Sequence, residues 1–151
     1  MHSITPATRA DLPHLVSLLH LLFTQEADFQ PDAALQTAAL EHILDFPQTG
    51  TILVARSGRD VVGMISLLFT ISTAKGGPVC WLEDMIVHPD HRGEGTGARL
   101  LTAAIDYARA HGFLRITLLT DADNSAAQQL YRRHGFTDSR MSVLRLHLGR
   151  E

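Results

Sequence analysis

The 151-residue sequence predicts a single α/β (α+β) domain built on a central, mixed and mostly antiparallel β-sheet. Two helical patterns come first, a meander of three β-type segments follows, and a strand, a helix and a further strand then alternate. A crossover helix makes its two flanking strands parallel, so the sheet is predicted to be mixed. Where parallel neighbours splay, a crevice opens at their carboxyl ends, and ligands favour that position.

The first part of the chain predicts one short strand and two helices. The strand lies near residues 3–6, and residues 8–11 form a capping box. Apolar residues then recur at helical spacing over 12–23, which predicts the first helix. A second helix is expected from Asp32 to a point before Pro47, and the loop between the two helices spans 25–31.

The sheet follows. Apolar and β-branched runs over 51–56 and 61–71, joined by a turn at 57–60, predict a hairpin. A glycine-rich turn at 76–78 leads into a third strand over 79–88, which completes an antiparallel meander.

Helix and strand then alternate to the end of the chain. An apolar stripe predicts a helix that ends at Gly112, followed by a strand over 113–120. Residues 125–134 predict another helix, and Phe136 together with 142–148 supplies the last strand.

The composition excludes several classes of protein. With 45% hydrophobic and 19% charged residues and a net charge of -3, the chain has no basic surplus for nucleic acid. The apolar stretch over 12–23 is shorter than the roughly 20 residues that span a bilayer, and no secretory signal is expected at the N-terminus. Cys80 is the one cysteine, which favours a cytoplasmic location. No metal site is expected, because Pro89 and a turn spoil the alignment of His88 and His91.

Residues 91–98, here called the glycine loop, follow the third strand of the meander and open a helix. Gly93, Gly95 and Gly97 allow a tight turn that points successive backbone N–H groups at one spot. The helix dipole adds roughly half a positive charge there. The loop is therefore predicted to bind a diphosphate.

The glycine loop also fits a second fingerprint. Gly93, Gly95 and Ala98 match the dinucleotide pattern G-x-G-x-x-G/A, and Asp121 lies 23 residues after Ala98. An NAD-binding oxidoreductase is therefore an alternative. Against it, such a unit normally opens its domain with this strand, whereas here about eighty residues of helix and antiparallel hairpin precede the strand.

Three motifs in order resemble the GNAT superfamily of acetyl-coenzyme A-dependent N-acetyltransferases. They are the opening segment 4–11, the sequence Arg92-x-x-Gly95-x-Gly97, and the late segment from Asn124 to Phe136. The resemblance covers almost the whole chain. It implies a sheet splayed between two parallel strands with helices on both faces, and an enzyme that passes acetyl directly to a primary amine of a small molecule or peptide.

The resemblance also implies where coenzyme A binds. Its pyrophosphate is expected on the backbone N–H groups of the glycine loop, and its pantetheine arm beside the preceding strand, as a peptide pairs with a strand edge. Asn124 is expected to bond the arm, although a helix N-cap explains the same residue and both roles can hold together. The expected cofactor-binding residues are Met85, Ile86, Val87, Arg92, Gly93, Glu94, Gly95, Thr96, Gly97, Ala98, Asn124 and Ala127.

Acetyl transfer needs a neutral amine, and an alkylammonium with a pKa near 10.4 costs roughly 4.6 kcal/mol to deprotonate at neutral pH. Glu83 is the candidate base, acting through water as the resemblance implies. The alternative interpretation is that Glu83 is only a carboxylate at the rim of the site, paired with an arginine. Strand alternation places Trp81, Glu83 and Met85 on one face and Leu82, Asp84 and Ile86 on the other. Because a bulge would alter that alternation, Asp84 remains the second choice.

Tyr131 matches the superfamily tyrosine beside the cofactor sulfur and is expected to act as general acid, although simple packing also explains it. A strand N–H near Met85 would hold the oxyanion.

Glu26, Asp28 and Phe29 are expected to bind a cationic acceptor, although acidic loops are commonly just solvated. A catalytically silent acyl-coenzyme A sensor is the competing function. Superfamily members also form homodimers through the sheet edge or the C-terminal strand.

Overall fold

The structure is a computed structural model that describes residues 2–25 and 30–149. Its strands are β1 Ser3–Pro6, β2 Gly50–Ser57, β3 Asp60–Ser72, β4 Gly77–Val87 and β5 Ile116–Leu118. Its α-helices are α1 Leu12–Gln25, α2 Ala33–Asp45, α3 Thr96–Ala110 and α4 Ser125–Arg133. Two 3-10 turns, Arg9–Asp11 and Pro89–His91, precede α1 and the glycine loop.

One sheet holds the described strands in the order β1-β2-β3-β4-β5. The first four are antiparallel neighbours, and only β4 and β5 run parallel, with α3 as the crossover between them. The mixed, mostly antiparallel sheet is therefore confirmed. Parallel pairing is limited to Cys80–Leu82 of β4, so in the described chain β5 does not extend along residues 85–87.

Helices cover both faces of the sheet, as expected. On one face, α3 packs against the sheet through what we call the α3-side cluster, whose buried members include Ile65, Leu67, Leu82, Leu100, Leu101, Ala104 and Ala108. On the other face lies the α1–α2-side cluster, which includes Leu15, Leu18, Leu19, Leu40, Val54, Met64 and Ile86. The apolar stripes of the helices thus bury each side of β3 and β4.

Local signals start the first two helices where the sequence predicts. Asp11 accepts a hydrogen bond from the Thr8 N–H at 2.8 Å, as a capping box requires, and the 3-10 turn that it closes continues into α1. Asp32 caps α2, because its Oδ1 accepts from the N–H groups of Ala34 and Leu35, both at 3.1 Å. No helix in the described ranges is both long and apolar enough to cross a membrane.

The predicted last strand is wrong. Phe136 and residues 142–148 belong to no strand, and Leu144 is 94% exposed. An alternating pattern makes a strand only where a neighbouring edge takes its hydrogen bonds. The neighbour here is β5, which has three residues instead of the predicted span of 113–120, and it offers too short an edge.

Candidate functional site

The glycine loop forms a turn of left-handed backbone at the start of α3. β4 ends at Val87, the 3-10 turn follows, and Gly93 and Gly95 have φ angles of 82° and 78°. Any residue with a Cβ atom is strained at such angles, which explains glycine at both positions. A Cβ atom at either position would meet no protein atom within 4 Å, so the space beside both glycines is open.

The start of α3 presents backbone donors to that space. The first hydrogen bond inside the helix runs from the Arg99 N–H to the Gly95 carbonyl oxygen, at 3.1 Å. The N–H groups of Thr96, Gly97 and Ala98 precede it and have no acceptor within the described part of the chain. Three donors at the positive end of a 15-residue helix are suited to bind an anion, so the diphosphate site stays a prediction.

The end of β4 and the side of α4 that carries Leu130 meet this site. A Cβ atom at Gly97 would lie 3.6 Å from Leu130 Cδ2 and 3.8 Å from Val87 Cγ2, so strand, helix start and α4 are in close contact there. Arg92 folds back onto the strand and donates from Nε to the Val87 carbonyl at 3.2 Å. The structure thus brings together the expected binding residues of β4 and of the glycine loop.

β4 presents an open edge directly before the loop. Residues 85–87 pair with β3 on one side, and β5 does not extend beside them on the other. In an antiparallel ladder, alternate N–H and C=O groups point away from the partner strand. These groups face the gap between β4 and β5. An amide-bearing chain that approaches the glycine loop could pair with them as an added strand. Met85 and Val87 pack toward the α3-side cluster and Ile86 packs toward the other face.

Asn124 is the N-cap of α4, where its side-chain oxygen accepts from the Ala127 N–H at 3.3 Å. The N-cap interpretation is therefore confirmed. The residue is exposed, and in the described ranges its side-chain NH₂ group donates to no protein atom. Capping leaves that donor available to a ligand, so a cofactor contact stays a prediction.

A β-bulge lies at the two candidate bases. Asp84 pairs with Ser66 and Leu82 with Leu67, so Glu83 is an extra residue on β4. The Asp84 N–H donates to the Ser66 hydroxyl at 3.1 Å, which closes the bulge with a side chain. Ser66 was not identified from the sequence. It is a lone polar residue inside an apolar run, and this pattern could have indicated a side chain that bonds to a neighbouring strand.

The bulge corrects the predicted alternation. Leu82 belongs to the α3-side cluster and Ile86 to the α1–α2-side cluster, so they do not share a face. Neighbouring side chains on a strand point to opposite faces, so Glu83, next to Leu82, lies on the α1–α2 side. For the same reason Asp84, next to Met85, lies on that side too. Both carboxylates therefore face the side of α1 and α2, Glu83 exposed and Asp84 partly buried.

Tyr131 lines a different part of the site. A cleft of about 1020 Å³ runs along β5 and α4, and its walls include Trp81, Gln128, Tyr131 and Phe136. The rings of Tyr131 and Phe136 meet edge to face with centroids 5.8 Å apart. Neither Glu83 nor Asp84 lines this cleft, so the structure does not bring the expected base and acid into one cavity.

Two expectations remain, the acceptor-binding residues and Cys80. Glu26, Asp28 and Phe29 lie outside the described residues. Cys80 is buried, and desolvation raises the pKa of its thiol to about 11, so a thiolate nucleophile is disfavoured at neutral pH.

His2 is a further residue that the sequence did not reveal. Its Nδ1 lies 2.7 Å from the Thr96 hydroxyl, and its ring meets that of His91 edge to face, 5.3 Å apart. Nothing local in the sequence links His2 to a loop some ninety residues later. Pairing of β1 with β2 creates the contact.

The fold and the loop together define an acyl-coenzyme A-dependent N-acetyltransferase. The model of the Acetyltransferase (GNAT) family matches residues 15–136, and the chain belongs to that family, whose members use acetyl-coenzyme A as co-substrate. The sheet has one parallel pair in the described chain, unlike the largely parallel sheet of a dinucleotide-binding fold, and this argues against the NAD alternative.

Individual relatives agree. The chain is 33% identical over 116 residues to the uncharacterised N-acetyltransferase YhfO of Bacillus subtilis, covering 77% of this chain and 74% of that protein. It is 30% identical over 133 residues to the aminoalkylphosphonate N-acetyltransferase of Salmonella typhimurium, covering 88% and 83%. Among solved structures, the integron cassette protein HFX_CASS3 from the Cole Harbour salt marsh metagenome superimposes with a TM-score of 0.85 at 28% identity, covering 98% and 91%.

Proposed function

We propose that this cytoplasmic enzyme transfers acetyl from acetyl-coenzyme A directly to a primary amine of a small molecule or a peptide. One observation carries the proposal: the open edge of β4 leads straight to the unpaired N–H groups at the start of α3. A pantetheine arm fits the edge, and a pyrophosphate fits the helix start. The aminoalkylphosphonate enzyme among the relatives makes small amines the first acceptors to test.

In this proposal the glycine loop binds the pyrophosphate through the backbone from Arg92 to Ala98. Met85, Ile86 and Val87 pair with the pantetheine arm, and the Asn124 side chain donates to it while capping α4. The left-handed turn at Gly93 and Gly95 supports this assignment, because neither position carries a side chain and the space beside each is open.

The chemistry needs a base, an oxyanion donor and an acid. We assign the base to Glu83, acting through water, with Asp84 as second choice, since the bulge directs both toward the α1–α2 side. The neutral amine nitrogen forms a bond to the thioester carbon, and a strand N–H near Met85 donates to the oxyanion. As the C–S bond breaks, Tyr131 gives its proton to the departing sulfur. The proton that the new amide nitrogen loses passes through water and restores the Tyr131 hydroxyl. The burial of Cys80 supports direct transfer without an acyl-enzyme.

Calorimetric titration with acetyl-coenzyme A and, in parallel, with NAD tests the binding half. We expect acetyl-coenzyme A to bind, NAD not to bind, and Gly95→Glu to abolish binding by placing a carboxylate in the anion site. Gly58→Glu is the matched control, because Gly58 also has a positive φ in open space, in the turn between β2 and β3. Binding of NAD alone would overturn the proposal.

Release of free thiol with a panel of small amines and peptide N-termini tests the catalytic half. We expect amine-dependent release that saturates with at least one acceptor. A protein that binds acetyl-coenzyme A but releases no thiol with any acceptor would instead be the acyl-coenzyme A sensor.

A further inference from the structure

Three potential metal ligands from distant parts of the chain meet beside the glycine loop. His2 precedes β1, whereas His91 and Glu94 belong to the loop itself. Their ligand atoms all lie within 4.8 Å of one another, and in the described ranges no other group of histidine, cysteine or acidic side chains does so. The proposed acetyl transfer uses the backbone of the glycine loop and gives these three side chains no role.

The spacing of the three ligand atoms is close to what one ion needs. Glu94 Oε1 lies 3.2 Å from His91 Nδ1 and 3.9 Å from His2 Nε2. Metal–ligand bonds of about 2.0–2.1 Å in tetrahedral geometry separate neighbouring ligand atoms by about 3.3 Å. The Glu94 side chain is 53% exposed and can adjust its position toward an ion.

A second group orients His2. The imidazole Nδ1 is hydrogen-bonded to the hydroxyl of Thr96, which is itself buried, at 2.7 Å. In the tautomer that donates from Nδ1, Nε2 carries the free lone pair, and it lies 3.9 Å from Glu94 Oε1. A ligating histidine held through its other ring nitrogen is the usual arrangement in metal sites.

We propose that His2, His91 and Glu94 bind one divalent transition-metal ion, with zinc as the best chemical match and water completing the coordination. Two imidazoles and one carboxylate suit zinc better than the oxygen-seeking magnesium or calcium. The His2 side chain is 10% exposed while Glu94 lies at the surface, so the site is anchored inside and open to entry from solvent. The bound ion would join β1 to the glycine loop and add positive charge beside the proposed anion site.

Calorimetric titration of tag-free, chelator-stripped protein with zinc chloride, without coenzyme A, tests the proposal. We expect one zinc per chain, and binding at least about tenfold weaker in Glu94→Gln and in His91→Asn. His147→Asn is the control, because this histidine lies in the exposed C-terminal segment and should leave zinc affinity unchanged. Circular dichroism identifies any variant that fails to fold.

Thr96→Val provides a test that leaves all three ligands in place. Removing the hydroxyl that orients His2 should weaken zinc binding about 10- to 100-fold. Cobalt(II) added in place of zinc should give visible absorption from histidine and carboxylate coordination that disappears in Glu94→Gln. No binding to the wild type, or binding that Glu94→Gln and His91→Asn leave unchanged, would overturn the proposal. Because no coenzyme is present, these results do not depend on the acetyltransferase activity.

Discussion

Arg56 forms a bidentate pair with the carboxylate of Asp11, donating from Nη1 to Oδ1 at 2.9 Å and from Nη2 to Oδ2 at 2.7 Å. The arginine also donates from Nε to the Thr5 hydroxyl at 2.8 Å. The pair therefore ties β2 to β1 and to the start of α1. Asp11 is 5% exposed, and its carboxylate also accepts a hydrogen bond from the Thr8 N–H in the capping box. All of these donors favour the ionised form of the carboxylate.

Acid should weaken the fold through Asp11. The hydrogen bonds from Arg56 lower the pKa of Asp11 to about 2, despite the opposing effect of burial. The carboxylate therefore stabilises the folded state above the unfolded pKa of about 3.9, and this contribution is lost as the pH falls toward 2. We predict that Asp11→Asn costs about 2 kcal/mol of unfolding free energy at pH 7, and that this difference shrinks below pH 4.

Urea unfolding of both proteins across this pH range measures the effect. Asp45→Asn is the control, since its partner Arg9 is exposed and the ion pair should matter little. A difference between wild type and Asp11→Asn that stays constant from pH 7 to pH 3 would contradict the linkage.

The two roles of Asn124 can be separated by substitution. Asn124→Ala removes both the cap of α4 and the side-chain NH₂ donor, so it should cost about 1 kcal/mol of stability and weaken acetyl-coenzyme A binding. Asn124→Ser keeps a capping oxygen, so stability should return while the affinity stays low. Thermal unfolding and calorimetric titration measure the two quantities. Full recovery of affinity in the serine variant would reduce Asn124 to a cap alone.

The base assignment predicts a pH-dependent loss of activity. Glu83→Gln should lower kcat/KM for the amine about 10²- to 10⁴-fold at neutral pH, with partial recovery at high pH, where more of the amine is neutral. Since Glu83 is exposed in the bulge, the variant should fold normally. Asp84→Asn is the matched comparison and should have the smaller effect. The opposite order would transfer the role of base to Asp84.

The acid assignment predicts an effect on kcat. Tyr131→Phe keeps the ring that packs against Phe136 and removes only the hydroxyl. We expect kcat to fall about 10²-fold or more, because the departing thiolate loses its proton donor. The pH profile of kcat measures this, and a profile identical to that of the wild type would remove the acid role.

The fold was largely predictable because local patterns determine it. The apolar stripes of α1 and α3, the Asp32 cap and the glycine loop all appear within short windows of sequence. The bulge at Glu83 was not predictable from the sequence, because it depends on the register of β4 against Ser66 on another strand. The same reason explains the missed contact of His2 with Thr96. The absence of the last strand depends on the short edge of β5, which alternation within 142–148 cannot reveal.

Cys80 should be chemically silent in the folded protein. It is buried in β4, and burial raises the pKa of its thiol to about 11, so only a very small fraction is thiolate at pH 8. We predict almost no reaction with a thiol-specific disulfide reagent at pH 8 in native protein, and one reacting thiol per chain in urea. Cys80→Ala should keep its kcat with any acceptor amine, since acetyl transfer is direct. Rapid stoichiometric labelling of the native protein, together with loss of activity in Cys80→Ala, would instead point to an acyl-enzyme.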